Sequence, residues 1–170
     1  MRSAALALMF FVAPAAHATS VRPLSIDDLA RDATLVVVGH SDVGESHWQG
    51  GRIVTRTRVQ VLETWVGGTT PGDVIEVTTL GGVVGEIGQM VSGAAPLYAG
   101  ERLVLFLRAA GERLVPIELG QGVFYVARGA DGVDRVARHK DADAASATAR
   151  MLPSTLDELR QRTLEAKHAR

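Results

Sequence analysis

Period-two alternation dominates the middle of this chain. From Ile53 to Trp65 the residues Ile53, Thr55, Thr57, Val59 and Val61 share one face, while Arg56, Arg58 and Gln60 share the other. That is the signature of a half-buried strand with β-branched residues turned inward. Thr34 to Gly39 (TLVVVG) is apolar without alternation and predicts a strand covered on both faces. Leu103 to Leu107 (LVLFL) predicts a central strand on the same ground. Val74–Thr78, Val83–Val91, Leu114–Leu119, Val123–Arg128 and Val133–Arg138 complete the strand candidates. Gly85 and Gly88 make the Val83 segment a strand with a bulge or bend, and Val133–Arg138 an edge.

The breaks are as regular as the strands. His40 to Arg52 carries Gly44, Gly50 and Gly51 among polar residues and reads as a loop. Val66 to Asp73 and Gly81-Gly82 read as turns, as do Ala110-Gly111 and Asp131-Gly132. Helical periodicity is confined to the two ends. Ser25 with Asp28 forms a capping box ahead of a short helix from about Ser25 to Arg31, with Leu24, Ile26 and Leu29 free for a core. A second helix opens at Pro153-Ser154, with Ser154/Asp157 or Thr155/Glu158 as its capping pair. Leu156, Leu159 and Thr163 form its apolar stripe. Lys140 to Arg150 is Ala/Asp-rich, a linker or a weak helix.

Short strands with close turns, bracketed by helices, predict a mainly β chain: a small antiparallel OB-like barrel of six to eight strands. The organisation expected is a signal peptide over residues 1–18 and a barrel domain over 19–138. A linker over 139–152 then leads to a C-terminal helix over 153–170, packed on or trailing the barrel.

The signal rests on Met1-Arg2, the apolar run Ala4–Ala13, Pro14, and Ala16-His17-Ala18 as a small-x-small cleavage site. Spanning a bilayer takes about 20 apolar residues, more than this run holds. Cleavage makes Thr19 the mature N-terminus and takes the net charge from −1 to −2 with the loss of Arg2. A chain so near neutrality lacks the basic face of a nucleic-acid binder. No further apolar segment of spanning length follows, so no membrane span is expected after cleavage. The chain has no cysteine, which excludes disulfides, a thiol nucleophile and Cys-ligated metal. Stability then rests on packing, and the compartment expected is a bacterial periplasm or the medium.

Candidate chemistry is sparse. His40, Asp42, Glu45 and His47 are the densest set of ligand-type side chains. They form either a metal site for zinc or calcium, with a hydrolase or metal enzyme built on it, or an ordinary solvated loop. Gly81 to Gly85 lacks the following helix and Lys of a phosphate loop. No serine sits in a Gly-x-Ser-x-Gly elbow, and no His-Glu-x-x-His occurs. The expectation is a non-enzyme with no cofactor. Trp65 ends a strand and reads as core. Trp48 stands in a polar, glycine-flanked segment and reads as a partner contact, with His47 beside it. Arg56 and Arg58 read as a solvated strand face.

TLVVVGH (34–40), TRVQVLETWVGG (57–68) and AGERLVLFL (99–107) resemble, in type and order, the strands of netrin-like domains. Tissue inhibitors of metalloproteinases belong to that group. The resemblance implies a five-stranded OB barrel flanked by helices, and an exported binding module for a protein partner such as a protease. The metalloproteinase inhibitors set an N-terminal Cys against the catalytic zinc. Thr19 stands there in this chain, so only its α-amine and hydroxyl are available for that role. TSVRPLSIDDLARDATLVVVGH (19–40), LGG (80–82), AGERLVLFL and GQGVFYV (120–126) also resemble a group of exported bacterial proteins to which no activity is attached. A structural protein of the cell envelope is the remaining alternative.

Overall fold

The computed structural model describes residues 23–138, 153 and 155–169. The signal peptide expected over 1–18, Thr19 and the linker expected over 139–152 lie outside the described residues. α1 (Ile26–Asp32) starts from the expected capping box. The Asp28 N–H donates to Ser25 Oγ, and the Asp28 carboxylate accepts from the Ser25 N–H. Ten strands follow: β1 (Leu35–Ser41), β2 (Glu45–Gln49), β3 (Arg52–Val66), β4 (Val74–Leu80), β5 (Gly82–Val84), β6 (Ile87–Gln89), β7 (Arg102–Ala110), β8 (Arg113–Pro116), β9 (Val123–Arg128) and β10 (Asp134–Ala137). α2 (Leu156–His168) closes the described chain, capped by Thr155 with Glu158, the second of the two expected pairs.

Five strands close into a barrel. β1 pairs with β3 on one edge and with β7 on the other; β3 pairs with β4, and β7 with β8. The parallel pair β4–β8 seals the ring. Numbered among themselves the barrel strands run in the order 1-2-3-5-4, which is the OB arrangement, with every pair antiparallel except the sealing one. β9 and β10 extend the sheet from the β7 edge, β2 continues the β1 side along β3, and β5–β6 is a separate hairpin.

Two cores result, one on each face of the sheet. Inside the barrel lie Leu35, Val37, Val59, Val61, Ile75, Val77, Leu103, Leu105 and Leu107, with Ala95 and Leu97 inserted from the loop before β7. Outside, Val36, Val38, Val104, Phe106, Phe124 and Trp65 pack beneath Ile26, Leu29, Leu156 and Leu159 of the two helices. This second layer explains the unbroken apolar runs in β1 and β7: strands covered on both faces have no polar side to show. α2 therefore packs on the barrel. Its expected stripe, Leu156, Leu159 and Thr163, is buried. Lys167 Nζ reaches the Ala33 carbonyl at 2.8 Å, supplying positive charge to the end of α1.

Polar groups fasten the layers. The Leu24 N–H donates to Gln121 Oε1 at 2.6 Å, and the Leu24 carbonyl accepts from Arg138 Nη2 at 2.6 Å. The buried Arg138 guanidinium also lies 5.3 Å from the centre of the Phe124 ring. At the β9–β10 end, the Asp134 carboxylate bridges Arg102 at 2.6 Å and Arg128 at 3.1 Å. The hydrogen bond from Arg102, followed by that from Arg128, holds the Asp134 carboxyl below the usual carboxylate range. A depressed carboxyl stabilises the fold above its unfolded value of about 4, and the contribution disappears as pH falls through the folded value. Asp134→Asn should therefore lower the urea midpoint at neutral pH and narrow its difference from wild type towards pH 2. A difference that stays constant over that range would show that the charge is not what matters.

Three expectations need correction. Residues 40–52 are not a loop: β1 runs to Ser41, and β2 is a strand paired with β3. The Val83–Val91 strand is instead the β5–β6 hairpin, because the chain turns at Gly85 with φ of 61°. The strand expected to end at Leu119 stops at Pro116, since Glu118 and Leu119 adopt left-handed φ of 44° and 63°.

Candidate functional site

The segment richest in chemical side chains becomes a ribbon standing off the barrel. Ser41 is opposite Val59, and Glu45 is opposite Arg56. The chain thus uses one more residue than β3 between those pairs, a β-bulge at Asp42-Val43-Gly44. The Asp42 N–H still donates to the Arg58 carbonyl at 2.8 Å, and Asp42 Oδ1 accepts from the Val43 N–H at 2.7 Å. Beyond the bulge β2 turns back into β3 through Gly50 and Gly51, both with positive φ (57° and 77°), a two-residue turn that only glycine-like residues make without strain.

The extra residue decides which way β2 faces. Ser41 shares the barrel-interior side with Val59, whereas Glu45 and His47 share the outer side with Arg56 and Val54. Ser46 and Trp48 consequently lie on the side of Thr55 and Ile53, the continuation of the barrel interior. There the β5–β6 hairpin is fastened to them. Ser46 Oγ stands 2.9 Å from Thr55 Oγ1, which donates to the Gly81 carbonyl at 2.7 Å. The Val83 N–H donates to Ser46 Oγ at 3.3 Å, and the Ile53 N–H to Gln89 Oε1 at 2.5 Å. Gly82 makes this approach possible: a Cβ there would collide with Ser46 Oγ and Thr55 Oγ1.

With their polar groups tied to each other, these elements leave apolar side chains outward. Trp48 is 50% exposed, Val83 65% and Ile87 55%, and Met90, just after β6, is 99% exposed. On the hairpin Val83 is opposite Gly88 and Ile87 is opposite Val84, so Val83 and Ile87 stand on its two different faces. The sequence pointed to Trp48 alone. Val83, Ile87 and Met90 fall in a segment that reads as a single strand with a bulge or bend, and the chain instead folds back at Gly85 into the β5–β6 hairpin, whose β5 strand lies against β2.

The opposite side of the ribbon does not form a metal centre. His40 is opposite Gln60 and His47 is opposite Val54, six positions apart along β3, or about 20 Å at strand rise. Among the described residues no group of three or more His, Cys, Asp or Glu side chains is placed to hold a metal ion. His40, Asp42, Glu45 and His47 are thus strung out along the β1–β2 segment rather than gathered in one cluster. Arg56 and Glu76 form an exposed pair at 3.6 Å on the outer side of β3–β4, as a solvated face would.

Arg113 Nη1 donates to Gln49 Oε1 at 3.0 Å, joining the start of β8 to the β2–β3 turn. In OB barrels the connections between the first two and the last two barrel strands flank the ligand-binding face. Here those connections are the turns carrying Gln49 and Arg113. A shallow groove between the helices, lined by Asp27, Glu158, Gln161, Arg162 and Glu165, is crossed by the Asp27–Arg162 ion pair at 3.0 Å. None of the described helices is long and apolar enough to cross a membrane. A scan of family models gives no match to this chain, and a search of curated proteins finds none similar to it.

Proposed function

We propose that this protein is an exported binding module that engages a protein partner through the β2 ribbon and the β5–β6 hairpin. The observation that carries the reading is the exposure of Trp48, Val83, Ile87 and Met90 around a rigidly hydrogen-bonded frame. An exposed Trp on β2 and exposed aliphatic side chains on the neighbouring hairpin have the composition of an interface centre rather than of a solvated surface. Export rests on the features of residues 1–18. The netrin-like resemblance rests on the strand motifs at 34–40, 57–68 and 99–107, and it favours an extracellular protein such as a protease as the partner class.

The test is site-specific photocrosslinking in the producing cell. A photoreactive residue in place of Trp48 or Ile87 should give one common crosslinked product. The same probe at Thr69, on the β3–β4 turn, should not. Trp48→Ala combined with a probe at Ile87 should reduce that product by about tenfold, the effect of losing an interface anchor worth at least ~1.4 kcal/mol. Equal labelling from Thr69 and Trp48 would refute the reading.

A further inference from the structure

We propose that β2 is also the edge along which two copies of this protein pair, antiparallel about a two-fold axis at Ser46. β2 hydrogen-bonds to β3 alone, so its other edge carries no strand among the described residues. The main-chain groups on that edge can be assigned. Ile53 turns both its N–H and its carbonyl away from β2, to Gln89 Oε1 and to the Gly81 N–H. Its partner Trp48 therefore occupies a non-hydrogen-bonded position and turns its own N–H and carbonyl to the open edge, and Ser46, two residues earlier, does the same.

An incoming antiparallel strand has to present its outward residues to Ser46 and Trp48, and β2 of a second copy does so. With Ser46 opposite Ser46, Glu45 falls opposite His47 of the second copy and His47 opposite its Glu45. An acceptor-only carboxylate then meets an imidazole, which can donate an N–H, on each side of the axis. Trp48 falls opposite Gly44, which has no side chain to displace it. The other centred registers are poorer, since an axis at His47 sets imidazole against imidazole and an axis at Trp48 sets indole against indole. Because side chains alternate, both Trp48 rings end on one face, about 13 Å apart along the strands. The edge binds the second copy, and the face stays open, so this pairing does not depend on the partner proposed above. In this register only Glu45–His47 of the five β2 residues face β2 of the second copy, an edge that buries less than the roughly 800 Å² per partner of a standard interface. The association is accordingly weak and concentration-dependent.

Sedimentation velocity from micromolar to millimolar protein should show a monomer–dimer equilibrium, with the Ser46 amide exchanging more slowly as dimer forms. Ser46→Pro removes an N–H that β3 does not use, together with the hydroxyl that meets Thr55 Oγ1 and the Val83 N–H, and should give a monomer. Glu45→Lys and His47→Glu should each weaken the dimer about tenfold. The double variant E45K/H47E should restore it, because the exchanged charges again face each other across the axis in this register and in no other centred one. A protein monomeric at every concentration, a dimer indifferent to Ser46→Pro, or a double variant no better than the singles would each overturn the proposal. The charge-swap series decides the matter if the proline variant fails to fold.

Discussion

Phe106→Ala is expected to destabilise the protein by about 3–5 kcal/mol, the range for deleting a fully buried aromatic side chain. Phe106 is wholly buried on β7 and points out of the barrel, into the layer beneath the helices. Its ring lies 5.7 Å from that of Phe124 at 58°, a tilted aromatic contact that alanine removes. The backbone of the site stays unchanged: Phe106 N–H bonds Gly122 O, and Phe106 O accepts from Ile117 N–H, whatever the side chain. The cost therefore reads packing between sheet and helices alone. Urea denaturation followed by circular dichroism measures it. A loss under about 1 kcal/mol, the scale of a surface change, would mean that the helices do not form a second core over β1, β7 and β9.

Gly39→Ala is the second large effect, and it acts inside the barrel wall. Gly39 lies at the second shift of the β1–β3 register, between Val38 and Gly39. A Cβ there would come within 2.6 Å of Val59 Cγ1 and 2.7 Å of the Gln60 carbonyl oxygen. The oxygen belongs to the backbone of a paired strand and cannot move without dragging β3 with it. Overpacking of this kind costs about 1–3 kcal/mol, and the backbone contact puts Gly39→Ala at the upper end. Gly68→Ala is the control, because nothing lies within 4 Å of its Cβ position. Matched thermal or urea melts should separate the two variants clearly. Equal stability would show that β1 and β3 do not approach so closely.

Most elements of the fold were legible because their signals are local. The capping boxes at Ser25 and Thr155 act over three residues, and both are formed. The alternation from Ile53 to Val61 reports one strand's two environments without reference to any partner. It ends at Leu62 because β3 is bulged against β1 at its far end, where the register shifts between Val36 and Val37 and again between Val38 and Gly39. That is why Trp65 joins the outer, helix-covered cluster. The misread segments share one cause. A glycine next to polar residues suits a loop, and it equally suits a bulge or a two-residue hairpin turn, and the choice depends on what the neighbouring strand offers. β2 and the β5–β6 hairpin were lost to this ambiguity, and with them the apolar surface beyond Trp48.

The sequence by itself determined the two helices and the five barrel strands, that β1 and β7 are covered on both faces, and that no disulfide supports the molecule. These follow from periodicity, capping and composition, which are properties of short windows. Only the tertiary structure decided the closure of the barrel by the parallel β4–β8 pair, the side on which Trp48 stands, and the separation of His40 from His47. Each of these depends on contacts between distant residues. One extra residue at the Asp42–Gly44 bulge changes the side of every residue after it, because side chains in a strand alternate with a period of two. A local pattern carries no record of such a shift until the partner strand is in place.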